Sequence, residues 1–281
     1  MKFLRHREDI RSLFFLGVVL CLLFAVLGIS FSRFSFGFYL FSLAIGTLSV
    51  FLISLLNHNH RHLPIFTLHF LNNFTNVLIS ICIGAPSTRL HLIHHFNHHR
   101  HFRSTKDWSS YLVHAKGSGF KRILKYIISS AKEISVQRKN IRAPLSLVNQ
   151  QWIERVFLLV FAVTGLIVNP QVFIFLILPS WLLGLLLLFI SNFFNHDMCD
   201  LESEHQHSRN FLSPLENWFF MNNGFHSAHH AKPRLHWTEL PDLHKRCFES
   251  HLKDELKQNS FFIYFFKYLN EGYGSKDAEQ L

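Results

Sequence analysis

Four long apolar runs limit this chain to one kind of fold. They occupy residues 12–30, 37–56, 152–168 and 171–194. A helix of about 20 apolar residues spans the hydrocarbon core of a bilayer. Within that core the backbone must satisfy its own hydrogen bonds, which leaves helices or closed barrels. The expected fold is therefore an all-α integral membrane protein with four transmembrane helices arranged as two hairpins. The first hairpin turns at 31–36, which holds only Arg33, and the second at Asn169 and Pro170. A signal peptide is disfavoured for the first run, because no small-residue cleavage site is evident and a second run follows at once. The two later spans are read as free of interior charge.

Two hairpins leave both termini and the long polar segments on one side. Nearly all the Lys and Arg lie there, so that side is expected to be cytoplasmic. The reading is a single domain over 1–281, with a cytosolic helical cap from 57–150 and 195–281. The formal charge of +10 fits basic loops against anionic headgroups or an acidic partner. No nucleic-acid-binding motif appears, so nucleic acid is not an expected partner. Cys21, Cys82, Cys199 and Cys247 form no Cys-x-x-Cys, and unpaired thiols fit a reducing side.

Within the cap, 64–86 is apolar around an Asn-rich patch and reads as a re-entrant or interfacial helix. The stretch 116–142 carries Lys116, Lys121, Arg122, Lys125, Lys132, Arg138, Lys139 and Arg142. Phe120, Ile123, Leu124, Ile127, Ile128, Ala131 and Ile134 recur there at helical spacing, as expected of a basic amphipathic helix on a membrane surface. A solvated charged face over a core stripe is the plainer alternative. The Phe-rich segment FFIYFFKYL near the C-terminus is too short to span.

Histidines cluster three times, as HNHRH at 58–62, HFNHH at 95–99 and HSAHH at 226–230. On an α-helix, positions i, i+3 and i+4 share a face. His58 and His62 thus point one way, and so do His95, His98 and His99, and His226, His229 and His230. Neutral imidazole is the commonest metal ligand. Eight such ligands are too many for one ion and about right for two. With 21 His in 281 residues, roughly 0.1 chance His-x-x-His-His would be expected, so two are hard to ascribe to composition. HLIHH, with His91, His94 and His95, also fits the middle pattern. The later register is preferred for its distance to Asp107 and Trp108.

Two transmembrane hairpins with these three clusters resemble the membrane fatty acid desaturase superfamily, over roughly residues 35–245. That superfamily is marked by cytosolic boxes His-x3–4-His, His-x2–3-His-His and His/Gln-x2–3-His-His. NNGFHSAHH followed by Pro233, Trp237, Leu240 and Pro241 is similar to the surroundings of the third box. His62-Leu-Pro-Ile-Phe66 is similar to the segment after the first. The resemblance implies two Fe ions held by His58, His62, His95, His98, His99, His226, His229 and His230. It implies His196 as a ninth ligand and, four residues before it, Asn192 as a water-mediated contact. His60, His101, His205 and His207 are expected around the ligands or at the surface. No catalytic residue is expected beyond the metal ligands.

The resemblance implies O2-dependent oxidation of an unactivated C–H bond in a fatty acyl chain, most simply desaturation. Hydroxylation, ketolation and oxidative decarboxylation use the same fold. The acyl group would arrive as an acyl-lipid, an acyl-CoA or on a carrier. Electrons would come from an external donor of ferredoxin or cytochrome b5 type, and membrane lipid is a further partner. A bacterial inner membrane is the expected location. A His-rich metal transporter is a distant alternative. Its ligands should line a path at mid-membrane, whereas these His lie at span ends and beyond.

Overall fold

The computed structural model describes residues 3–102, 104, 106–110, 119–137 and 142–271. Lys116, Arg138 and Lys139 of the expected basic helix lie outside the described residues. The chain divides into two compact units, Met1–Leu92 with Arg142–Leu188, and Ile93–Ile141 with Phe189–Leu281.

The first unit is built from helices α1 (Ile10–Leu27), α2 (Phe36–His62), α3 (His69–Ile83), the start of α4 (Ser87–His99), α6 (Leu145–Val168) and most of α7 (Pro170–His196). Helices α1, α2, α6 and α7 are each long and apolar enough to cross a membrane. Their outward residues support that reading. Leu159, Val160 and Ile167 on α6 are 64%, 57% and 77% exposed. A continuous apolar surface of this kind is costly in water and costless in lipid. The chain is an integral membrane protein of helical class.

Local chemistry sets the helix ends. The Ser35 hydroxyl accepts from the Phe38 amide at 3.3 Å and caps α2. At the second turn the Asn169 side chain accepts from Val172 N at 3.2 Å, with Pro170 opening α7. The same amide donates to the carbonyls of Leu27 and Ile29 at 3.1 and 2.8 Å, which ties that turn to the end of α1. Helices α2 and α7 approach closely where Gly46 faces Ser180 and Gly184 faces Val50, as small residues allow. Gly84 ends α3 at a left-handed φ of 68°, against the Trp181 ring. The expected re-entrant segment is thus α3, packed on α1, α2 and α6, followed by a sharp bend into α4.

The observed boundaries differ from two expectations. α2 continues to His62, so His58 and His62 stand on its last turns. α6 begins at Leu145, so Glu154 and Arg155, which the expected run 152–168 already contains, lie well inside the helix, contrary to the expected charge-free interior. Glu154 is fully buried. It accepts from the Thr88 amide at 2.9 Å, from the Thr88 hydroxyl, and from Gln150 Nε2 at 3.1 Å. A carboxylate is thereby matched to the free amides at the start of α4. Alongside it the Ser87 hydroxyl donates to Asn57 Oδ1 at 2.6 Å.

The second unit contains the end of α4, α5 (Gly119–Gln137), the end of α7, α8 (Pro214–Phe219), α9 (His226–Ala231), α10 (Leu240–Cys247) and α11 (Phe261–Glu271). Two-residue strands β1 (Asn210–Phe211) and β2 (Lys257–Gln258) pair in parallel. The expected apolar stripe of α5 is divided. Ile123 and Ile134 are buried with Tyr126, while Phe120, Leu124 and Ile128 face outward. Arg122 is also buried, and its guanidinium donates to Asp197 Oδ1 through Nη2 at 2.6 Å and Nε at 3.1 Å. Tyr268 on α11 donates to the other oxygen of Asp197 at 3.4 Å. α11, the Phe-rich segment, is 11 residues long. The Glu216 carboxylate accepts from Phe261 N at 2.7 Å and so caps it.

Candidate metal centre

Three segments of the second unit bring imidazoles together. The end of α4, His94–His99, is a π-helix. Its wider turn, closed by i to i+5 hydrogen bonds, stacks residues four and five apart. His94 therefore faces His99, with Nε2 atoms 2.9 Å apart, and its ring centroid is 5.2 Å from that of His98. The ring of His95, the expected member, lies 6.4 Å from that of His99. His91 sits one turn earlier, in the α-helical part of α4.

The second segment is the end of α7, which carries His196. The third is α9, preceded by a tight turn. Met221 and Asn222 adopt left-handed φ values of 47° and 57° there. Asn tolerates that region better than most residues. The Asn222 amide donates to the Trp237 carbonyl at 3.0 Å. Asn217 donates to the Phe211 carbonyl at 2.7 Å and accepts from Gly224 N at 3.0 Å. A side chain at position 224 would run into that Phe211 carbonyl. The NNG sequence thus sets where α9 starts, and α9 carries His226, His229 and His230.

Two groups result. In one, ligand nitrogens of His98, His196 and His230 all lie within 4.8 Å of one another. His226 Nε2 joins them, 3.0 Å from His196 Nε2 and 3.0 Å from His230 Nε2. In the other, His99 Nε2 is 2.9 Å from His94 Nε2 and 3.2 Å from His229 Nε2. In the first unit, His58 and His62 form a pair with rings 5.0 Å apart.

The donor set fits a metal. Bonds of about 2.1 Å from imidazole to a divalent ion set adjacent ligands at right angles about 3.0 Å apart. Tautomers agree as well. A carbonyl can only accept, so the contact of His196 Nδ1 with the His207 carbonyl at 3.2 Å puts the proton on Nδ1 and leaves the Nε2 lone pair free. His98 Nδ1 meets Asp107 Oδ2 at 2.7 Å, and His98 Nε2 is buried with no hydrogen-bond partner among the described residues. Burial alone would raise the Asp107 pKa. The His98 ring and the Ser109 donors outweigh it and hold the carboxyl below its ordinary value. Burial, reinforced by the rings of His226, His99, His196 and His98, holds His230 well below the usual imidazole value. A neutral ring is the form that ligates.

Asn192, expected at a metal-bound water, has its amide Nδ2 directed to the Tyr126 hydroxyl at 2.8 Å. His60 is buried in the first unit and accepts from Ile65 N at 3.2 Å. His205 stacks on His251 with centroids 4.6 Å apart, and the His207 ring lies 5.8 Å from that of His230. His101 is half-buried at the end of the His-rich segment. The sequence offered His94 only in the less preferred HLIHH register, and it did not single out Asp107 as the carboxylate behind His98. The HHFNHH spelling with an x3 gap could have suggested His94.

Helical spans and a polyhistidine cluster that could hold metal define the class, a helical membrane protein with a candidate metal centre. The sequence matches the family model for fatty acid desaturases over residues 34–262, and the chain belongs to that family. A search of the curated proteins finds no match. Membership implies an oxidoreductase with a fatty acyl substrate.

Proposed function

We propose that the protein is a non-haem di-iron desaturase that uses O2 to oxidise an unactivated C–H bond in a fatty acyl chain. The observation that carries this is the spacing of imidazole nitrogens at 2.9–3.2 Å in two adjacent groups. One iron would be held by His98, His196, His226 and His230. The other would be held by His94, His99 and His229, with His58 and His62 assigned to it from the family pattern and their i, i+4 spacing. His94 takes the place first given to His95. The histidines would lie on the cytoplasmic side.

Two irons so held would supply oxidation by O2, which no side chain can provide. The chain's own part is to fix the ligands, keep them neutral and exclude water. His196 and His98 do this through protons held on Nδ1. The acyl chain would lie among the apolar residues of the spans. Electrons would enter from an external donor of ferredoxin or cytochrome b5 type.

The test is iron content of protein purified in mild detergent without oxygen, followed by analysis of lipid products. About two irons per chain, and an acyl product two hydrogens lighter, are expected. Absence of iron removes the metal reading. An oxygenated acyl product would assign a hydroxylase on the same fold.

A further inference from the structure

We propose that Asp107 is a positioning residue for His98, and that a relay of side chains ties it to the helix that carries His196. This rests on the metal-centre reading above. The geometry starts at the loop after α4. Asn97 clamps that loop from both sides, since its Oδ1 accepts from Trp108 N at 2.7 Å and its Nδ2 donates to the Lys106 carbonyl at 2.9 Å. Asp107 is thereby held over the π-helix, and its Oδ2 takes the Nδ1 proton of His98 at 2.7 Å. Its other oxygen accepts from Ser109 N and Oγ at 2.9 and 2.8 Å. Asp107 is 3% exposed, so this contact is shielded from water.

The relay continues from the loop to α7. The Tyr126 hydroxyl donates to the Ser109 carbonyl at 3.1 Å and accepts from Asn192 Nδ2 at 2.8 Å. Asn192 lies four residues before His196, on the same face of the helix. His98 and His196 belong to one nitrogen group. The side chains of Asp107, Tyr126 and Asn192 thus fix the separation of two ligands that α4 and α7 supply independently. A carboxylate behind a ligating imidazole also strengthens it as a donor, and losing such a partner costs roughly tenfold to a hundredfold in metal affinity.

The experiment uses the full chain, iron-loaded without oxygen in detergent. It measures iron per chain, release of iron to a ferrous chelator, and the unfolding temperature of the metal-free protein. In Asp107→Ala, one of two irons should leave at least tenfold faster, while the metal-free protein unfolds within a few degrees of the wild type. Asp107→Asn retains an oxygen that accepts the Nδ1 proton, and should restore slow release to within about threefold. Tyr126→Phe should give a smaller acceleration of the same iron. Wild-type release rates in Asp107→Ala would overturn the proposal, as would equal acceleration in the Asn variant. Loss of both irons together with a lowered metal-free unfolding temperature would make Asp107 a loop-folding residue instead. A wild-type chain that takes up no iron would remove the metal reading, and this proposal with it.

Discussion

His94 Nε2 and His99 Nε2 stand 2.9 Å apart although five residues separate them. In an α-helix they would point apart by more than a right angle. The π-helix from His94 to His99 brings them onto one face. π-helical turns are rare and cluster at functional sites. Here the turn sets His94 beside His99.

His94→Ala should therefore lower iron content to about one ion per chain and abolish activity, whereas His95→Ala should keep both irons and most activity. Metal analysis and acyl-product assay on the two purified variants check this. Equal loss in the two variants would return His95 to the ligand set.

His229 and His60 make a second contrast. His229 Nε2 is 3.2 Å from His99 Nε2, while the His60 ring is engaged with the backbone of Ile65. His229→Ala should abolish activity and leave membrane insertion intact. His60→Ala should retain iron, with a stability cost of about 1–3 kcal/mol for the orphaned amide. Full activity in His229→Ala would remove the third cluster from the centre.

Glu154 bears on how α4 is held. It accepts from Thr88 twice and from Gln150, all in a buried setting. Removing the acceptor leaves several donors unsatisfied. Glu154→Ala should lower stability by about 2–3 kcal/mol, and Glu154→Gln by less, because one oxygen remains to accept. Thermal unfolding in detergent measures both. No difference from the wild type would show that the start of α4 holds itself.

Much of this was legible in the sequence because hydropathy and helical spacing are local signals. The four spans followed from apolar run length, and the helices differ from expectation only at their ends. The end of α2 was misjudged where polar residues such as Asn57 are satisfied by partners distant in sequence. His226, His229 and His230 could be grouped because α9 is an ordinary α-helix. His94 stood only in the alternative HLIHH register, since a 3.6-residue period groups His95 with His98 and His99. Asp107 was noticed only for its distance from the cluster; its role depends on a loop fold that Asn97 imposes. The division of the α5 stripe likewise depends on what packs against it. Arg122 is drawn inward by Asp197, and Phe120 is left outside.

His244 gives a test that is independent of the metal. Its ring is buried against Phe225 and Phe248, with centroids at 5.2 and 6.3 Å, and neither ring nitrogen has a hydrogen-bond partner among the described residues. Burial lowers its pKa, with Lys257 adding to that effect and Glu249 opposing it. The unfolded chain, with an ordinary imidazole near about 6.5, then takes up this proton first as pH falls. Its titration costs no stability above that value, and destabilises progressively as pH drops from it toward the folded pKa. His244→Leu removes both the titration and two unsatisfied nitrogens. Metal-free His244→Leu should match or exceed the wild-type unfolding temperature at about pH 7.5, and lose less of it on going to about pH 5.5. Parallel losses in the two proteins would mean that the buried ring takes up its proton as easily as a solvated one, through an opening that the packed Phe225 and Phe248 do not suggest.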